Sequence, residues 1–448
     1  MLKVKYAQKF RDKNNIIIGY RIIDQNGSIK DVSSESLKQA IKQGRLEVIN
    51  LTLTSDNRLI DKAITQTPTQ QIQKPIKQSP QKAIDIDKML LRLKLLGHIT
   101  EIDEDCDHKI YLTKVSEENY ILIIPDDVTE IKFDYGYEEP TPINRIPIES
   151  SNAKLMVYGG NNLEIAEGLF QGTKFSTIDL RKFNTSKVTN MRYMFYECQA
   201  TSIDLSNFDT SNVTDMRGMF MECKAASLEL SNFDTSKVIN MQYMFSDCQA
   251  NSIDLSSFDT SNVMDMSWMF TKCQATSLDL SSFDTSKVIN MSVMFSECKA
   301  NSLDLSSFNT SKVTNMSAIF SECQASCINL SSFDTSKVTD MSAMFNECQA
   351  TSLDLSKFDT SNVEYMDLMF NGCKATSLDL SNFNTSRVTN MGYMFYGCEA
   401  TSLDLSNFDT RSVMNMQYMF YDCEATKINF GGNKDLKSAW NSRVIEGE

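Results

Sequence analysis

The residues of this chain that could do chemistry are few in kind and regular in place. Eleven of its 12 cysteines lie after residue 195, and ten of these recur every 25 residues from Cys198 to Cys423. Thiols so spaced suggest disulfides or a metal. Yet ten sites of identical setting give no basis for pairing, and the neighbouring columns are apolar. Buried free Cys behaves as a small hydrophobe, so free buried thiols are expected, with no metal and no cofactor. Cys327 stands outside the column, where other units carry Ser or Thr, and is expected to face outward. Residues 101–108 (EIDEDCDH) lack the Gly and distal Glu of an EF-hand loop, and Cys106 and His108 have no second pair, so a solvated turn is expected there.

Nucleophilic catalysis lacks a base. Both histidines, His98 and His108, precede residue 150, so the later Ser and Cys residues have no imidazole near them in sequence. No catalytic residue is expected, and the chain reads as non-enzymatic.

Carboxylates form a column of their own. It runs through Asp179, Asp204, Glu229, Asp254, Asp279 and Asp304, passes Asn329, and continues through Asp354, Asp379 and Asp404. Charges stacked about 5 Å apart repel by about 1 kcal/mol in water and about 3 kcal/mol at an effective dielectric of 20. Two readings stay open: an acidic surface for a basic partner, or a solubilising face of hydrogen-bonded Asp and Ser. A second column (Asn184, Asp209, Asp234 and onward) interchanges Asp with Asn, which points to turn chemistry. Aromatics add a third set. Tyr243, Trp268, Tyr393 and Tyr418 share one column, and Tyr396 and Tyr421 lie three residues further on in their units. They are expected at an exposed helix position. Exposed aromatics often mark contact sites, although end-capping accounts for them almost as well. The candidate partner-binding residues are these six aromatics with the acids from Asp204 to Asp404. The Thr column (Thr185 to Thr410) sits in capping turns beside acids, so an ice-binding array is not expected.

All of these columns arise from one repeat. From Ser176 to Ala425 the chain repeats every 25 residues, ten times without insertion or deletion. A period this regular means a solenoid, because one unit cannot bury its apolar face alone. In TSIDLSNFDTSNVTDMRGMFMECKA (201–225), Ile203 and Leu205 alternate with Ser202, Asp204 and Ser206, which predicts a short strand paired in parallel with its copies. Asp209-Thr210-Ser211 is expected to cap a helical stretch to about residue 221, with Val213, Met216, Met219 and Phe220 on its inner face. The expected fold class is α/β: a leucine-rich-repeat-like solenoid of ten units with a parallel sheet, plus a small N-terminal α+β domain.

The flanks divide by composition. Residues 1–62 carry 12 basic and 7 acidic side chains and read as a ββαββ-like docking domain: a strand at Asn15–Asp24, a turn at Gln25-Asn26-Gly27, a helix in SSESLKQAIKQG and a strand at Leu46–Thr54. Residues 63–84, rich in Gln and Pro, read as a linker. Residues 85–150 read as an N-terminal cap with a helix at Asp87–Leu96 and strands at Lys109–Val115, Tyr120–Ile124 and Thr129–Phe133. Residues 151–175 resemble half a repeat, and 426–448 form a C-terminal cap whose TKINF supplies an eleventh strand. The net charge of −14 and pI near 4.8 argue against nucleic-acid binding. No apolar run approaches the ~18 residues of a membrane span. The start, MLKVKYAQKFRDKNN, has no hydrophobic core, so a cytoplasmic address is expected.

The unit resembles the BspA-like leucine-rich-repeat family of bacterial surface proteins. The signature LDLSNFDTSxVTNMxxMFxxC stands nearly verbatim at Leu378–Cys398 and Leu403–Cys423. The resemblance implies a parallel sheet on one face, adhesion or protein binding, and a cell-surface or secreted address as the alternative to the cytoplasm. The expected function is a protein-binding solenoid with an extended acidic surface. Its rival is a spacer or scaffold whose N-terminal domain does the binding.

Overall fold

A computed structural model describes residues 152–442 throughout, together with Val128 and the strands named below between residues 2 and 131. The chain divides into two compact units, Met1–Ala83 and Ile84–Glu448. In the first unit, Leu2–Arg11 pairs antiparallel with Ile17–Asp24, which pairs antiparallel with Ile29–Ser33. The two strands that flank Gln25-Asn26-Gly27 are thus antiparallel partners, and the expected turn itself lies outside the described residues. Leu46–Val48 lies parallel to Leu2–Arg11, and Leu51–Leu53 pairs antiparallel with Leu59–Asp61. The opening strand was not expected, and the single strand over Leu46–Thr54 is two. Ser33, expected to open a helix, ends a strand instead; the rest of that helix, 34–44, the helix at 87–96 and the linker 63–84 lie outside the described residues.

In the second unit, strands Thr100–Glu101, Tyr111–Lys114 and Asn119–Ile124 pair antiparallel and then join Lys154–Gly159 in parallel. The same sheet continues through Thr177–Phe183 to Ser202–Asp204, so it leads directly into the repeats. From there the register advances by one repeat at each step: Thr177 opposite Ser202, Ser227 opposite Ser252, Ser302 opposite Cys327, Ser402 opposite Lys427. A second parallel ladder of single bridges runs from Ile165–Asn190 to Asn390–Asn415. The described residues of the second unit therefore form a parallel β-solenoid with little helix. The Lys427–Asn429 strand is the eleventh that the sequence led us to expect.

Inward alternation also holds. Leu205, Phe208, Val213, Met216, Met219, Phe220, Cys223 and Ala225 are all nearly or fully buried. The Phe220 ring stacks on Phe195 at 5.3 Å and on Phe245 at 5.8 Å. Such columns bind each turn to its neighbours through apolar burial and ring contact.

The helix expected in the second half of each unit is absent. Instead, Met219 N–H donates to Met216 O and Cys223 N–H to Phe220 O, while Met216, Gly218, Phe220 and Glu222 donate to the next turn. Gly218 and Glu222 have φ of +59° and +54°, and their equivalents in other turns share this left-handed backbone. The reason is spatial. A helix is about 10 Å across, whereas these turns stack with rings 5 to 6 Å apart. A flat run of tight turns fits that spacing and keeps the apolar residues inward.

The described helix, α1 (Lys434–Asn441), follows the last turn. Asn433 caps it by accepting from Asp435 and Leu436 N–H.

Candidate binding surfaces

The acidic column lies on the outer side of the strand half. Asp179 stands opposite Asp204, and Asp304 opposite Asn329. Glu229, Asp279, Asp304, Asp354, Asp379 and Asp404 are exposed, while Asp204 and Asp254 are half-buried. Each Asp also closes a turn. Ser206 N–H donates to Asp204 Oδ1 at 3.1 Å and Ser256 N–H to Asp254 Oδ1 at 3.0 Å. The pattern recurs at Asp279, Asp304, Asp354, Asp379 and Asp404. The serine two residues on, through its hydroxyl and N–H, holds Asp304, Asp354, Asp379 and Asp404 below the usual carboxylate range. At the leading end, Arg181 pairs with Asp179 and reaches Asp204 at 3.4 Å.

The column also contains its own control. Asn329 Oδ1 accepts from Ser331 N–H at 3.1 Å, as an Asp would. The turn needs an acceptor oxygen and no charge.

The aromatic candidates do not sit on a helix. Tyr243, Trp268, Tyr393 and Tyr418 all occupy the left-handed turn position, with φ between +53° and +63°. Tyr243 stacks on Trp268 at 5.6 Å. Tyr393, Tyr396, Tyr418 and Tyr421 form one cluster, with Tyr393–Tyr418 at 5.1 Å and Tyr396–Tyr421 at 5.2 Å. Their columns bring the four together; the acids run separately on the strand half. The Tyr393 and Tyr418 rings remain exposed.

The cysteine column is buried and free, apart from Cys423 in the last turn, which is half-buried. Burial pushes the Cys273 and Cys398 thiols up to about 12, so they stay protonated and poorly nucleophilic at neutral pH. Cys327 is exposed, at the place expected for it. Among the described residues no group of His, Cys, Asp or Glu could hold a metal ion, and no helix is long and apolar enough to cross a membrane. The Thr column is buried: Thr310 Oγ1 donates to Asp334 O and accepts from Asp334 N–H, both at 2.8 Å. Within the acidic run 101–108, only Glu101 is described.

Two surface features escaped the sequence reading. Ile239, Met264 and Ile289, each 47% exposed, replace Thr at one outward position in three successive turns. A second acidic column includes Glu197, Glu222, Glu297, Glu322 and Glu347, with Lys272 paired to Glu297 at 3.3 Å. Burial and then neighbouring acids push Glu222 and Glu322 above the usual range. Both features were legible as columns once the unit was aligned to itself.

No curated protein matches the chain. The family model described as "Mycoplasma protein of unknown function, DUF285" matches three overlapping stretches, residues 163–283, 248–349 and 325–434. Together these run from the half-repeat to α1 and cover more than half of the 448 residues. The chain therefore belongs to the DUF285 family.

Proposed function

We propose that this chain is a non-enzymatic binding protein of the BspA-like adhesion type, which presents the acidic face of its solenoid to a basic protein partner. The observation that carries the proposal is Asn329. Its amide oxygen closes the same turn as the neighbouring aspartates, so the turn needs the acceptor oxygen and not the charge that the other positions carry. Like charges so close together are a standing cost, and a partner with complementary charge offsets it. Glu229, one methylene longer, also keeps the charge in this column. A non-catalytic reading is supported by buried, protonated thiols and by repeats without histidine.

The rival reading, a spacer whose N-terminal unit does the binding, draws on the same hydrogen bonds, because they give each Asp a structural task. Binding of a lysine-rich peptide to the full chain, measured over a salt series, separates the two. Affinity that falls steeply with salt supports the acidic face. No measurable binding at low salt rejects it. Protease shaving of intact cells tests the address: release of solenoid fragments fits surface display, and full protection fits the cytoplasm.

A further inference from the structure

One stretch of the surface departs from the repeat that generates it. At the outward position beside the second ladder, Thr189, Thr214, Thr314, Thr339 and Thr389 each donate a hydroxyl to a carbonyl of the preceding turn, at 3.1 to 3.5 Å. Three successive turns hold Ile239, Met264 and Ile289 there instead and give that bond up. The backbone does not need it, because the N–H groups of these three residues still donate to the preceding turn at 2.9 to 3.0 Å. Nor does the core use their side chains. Each stays about half exposed, while Val238, Val263 and Val288 beside them are fully buried. Contiguous apolar surface left in water is unfavourable by itself and marks a contact site. Tyr243 and Trp268 lie in the same turns as Ile239 and Met264 and stack on each other, with Trp268 exposed.

Charge and spacing define what this row can take. Lys237 and Lys287 precede Ile239 and Ile289 by two residues, across a buried valine, so they share the outward side. Their Nζ groups donate to the neutral amide oxygens of Asn212 at 2.7 Å and Asn262 at 2.6 Å. Lys312 continues the same column in the next turn. Asp234 and Asp284 feel these charges but are engaged by the N–H groups of Ser236 and Ser286. On the other side of the row, Asp265 Oδ1 accepts from the Ser267 hydroxyl and N–H. The row thus has a basic flank, on a chain whose net charge is −14. Its pitch is that of the stacked turns, about 4.8 Å. Side chains on one face of a helix recur at about 5 Å along the axis, and those on one face of a strand at about 6.7 Å. A helix laid along the stack keeps step across three turns, whereas a strand slips by the third.

We propose that Ile239, Met264 and Ile289, flanked by Lys237 and Lys287, form a docking row for a short acidic amphipathic helix of a protein partner. Apolar residues on one face of that helix cover the row. Its carboxylates lie on the lysine side, away from Asp265. Thr214 and Thr314 bound the row, so about two helical turns suffice. The need for apolar cover sets this occupant apart from an anionic polymer, for which lysines alone would serve. The row lies on the turn half and the acidic column on the strand half. It therefore takes a partner of opposite charge and stands or falls independently of that column.

The test uses the full chain and a synthetic Leu/Glu peptide of helical pattern, with Leu at every third or fourth position. A Leu/Lys peptide of the same pattern is the control. Tryptophan emission reports binding at Trp268; the other tryptophan, Trp440, lies in α1. Expected is a saturable emission shift with the Leu/Glu peptide, at least about tenfold tighter than with Leu/Lys at low salt. Trp268→Phe should abolish the shift. Ile239→Thr, Met264→Thr and Ile289→Thr together install the residue that other turns carry, so the thermal midpoint should hold while affinity falls at least about tenfold. Met264→Thr alone should weaken binding about threefold. Lys237→Gln with Lys287→Gln should remove most of the salt dependence. The proposal is overturned by no shift at millimolar Leu/Glu peptide, by equal affinity for the two peptides, or by undiminished binding in the triple variant. A dimer of the free chain that the triple variant abolishes also overturns it, since the row would then be a contact between copies.

Discussion

At the scale of single residues, the cost of this fold is concentrated at the left-handed positions. Val293, Ala318, Ala343 and Leu368 all have φ between +53° and +60° without being glycine. An L-residue there costs about 1–2 kcal/mol relative to the right-handed region. Ala318→Gly and Ala343→Gly should therefore raise stability by about 0.5–1 kcal/mol each, the reverse of the usual sign for Ala→Gly. Gly372→Ala should lower it, because the added Cβ would lie 3.0 Å from Glu347 Cγ at φ +59°. Urea midpoints of the three variants check this. Charge acts at the same scale. Asp409, held at about 2 by Arg411, favours the folded state above its unfolded value, and that contribution is lost as pH falls toward 2. Glu322 behaves oppositely. Its folded pKa is raised, so its ionised form opposes folding at neutral pH and the penalty is relieved on acidification. Glu322→Gln should thus raise the urea midpoint at pH 7, with the gain shrinking at pH 4.

At the scale of elements, the strand half was readable from the sequence and the turn half was not. Ile203 and Leu205 alternate with polar residues, and alternation has one common structural meaning. Val213, Met216, Met219 and Phe220 lie three or four apart, which suits a helix as well as a run of three-residue turns. What separates the two is where the N–H groups donate, and that depends on the neighbouring turn. The 25-residue period held the missing clue. Ten Phe residues in register with Phe220 must stack closely, and helices are too wide for that spacing. The Asp and Asn columns were legible as turn chemistry for the same reason in reverse, since an Asx turn is local. The Thr column joins turns. Thr310→Val keeps the shape but leaves the N–H and carbonyl of Asp334 without their buried partner. A loss of about 1–3 kcal/mol is expected. Thr314→Val on the exposed side should cost far less, and thermal unfolding of both distinguishes them.

At the scale of the whole molecule, the repeat accounts for the unusual composition. One unit contributes Met, Phe and Cys to the core and acids to the outer faces, ten times over. The array carries 30 acidic and 16 basic side chains, a surplus equal to the net charge of the entire chain. Of the candidate site, the acidic column was visible from spacing alone, as were the two aromatic columns. The left-handed setting of Tyr243, Trp268, Tyr393 and Tyr418 was not visible, because residue type alone does not give the sign of φ. The exposed row of Ile239, Met264 and Ile289 was passed over because the unit consensus there is polar.

The claim that the acidic face serves a partner rests on separating charge from hydrogen bonding. The most direct measurement is a triple variant, Asp304→Asn, Asp354→Asn and Asp379→Asn, which keeps each acceptor oxygen as Asn329 does. Its thermal midpoint and its affinity for a lysine-rich peptide at low salt are compared with those of the parent chain. Expected is a midpoint only slightly lower, since the serine N–H and hydroxyl groups favour the ionised carboxylates, with affinity reduced about tenfold or more. An unchanged affinity would contradict the claim and leave the aspartates to the turns they close.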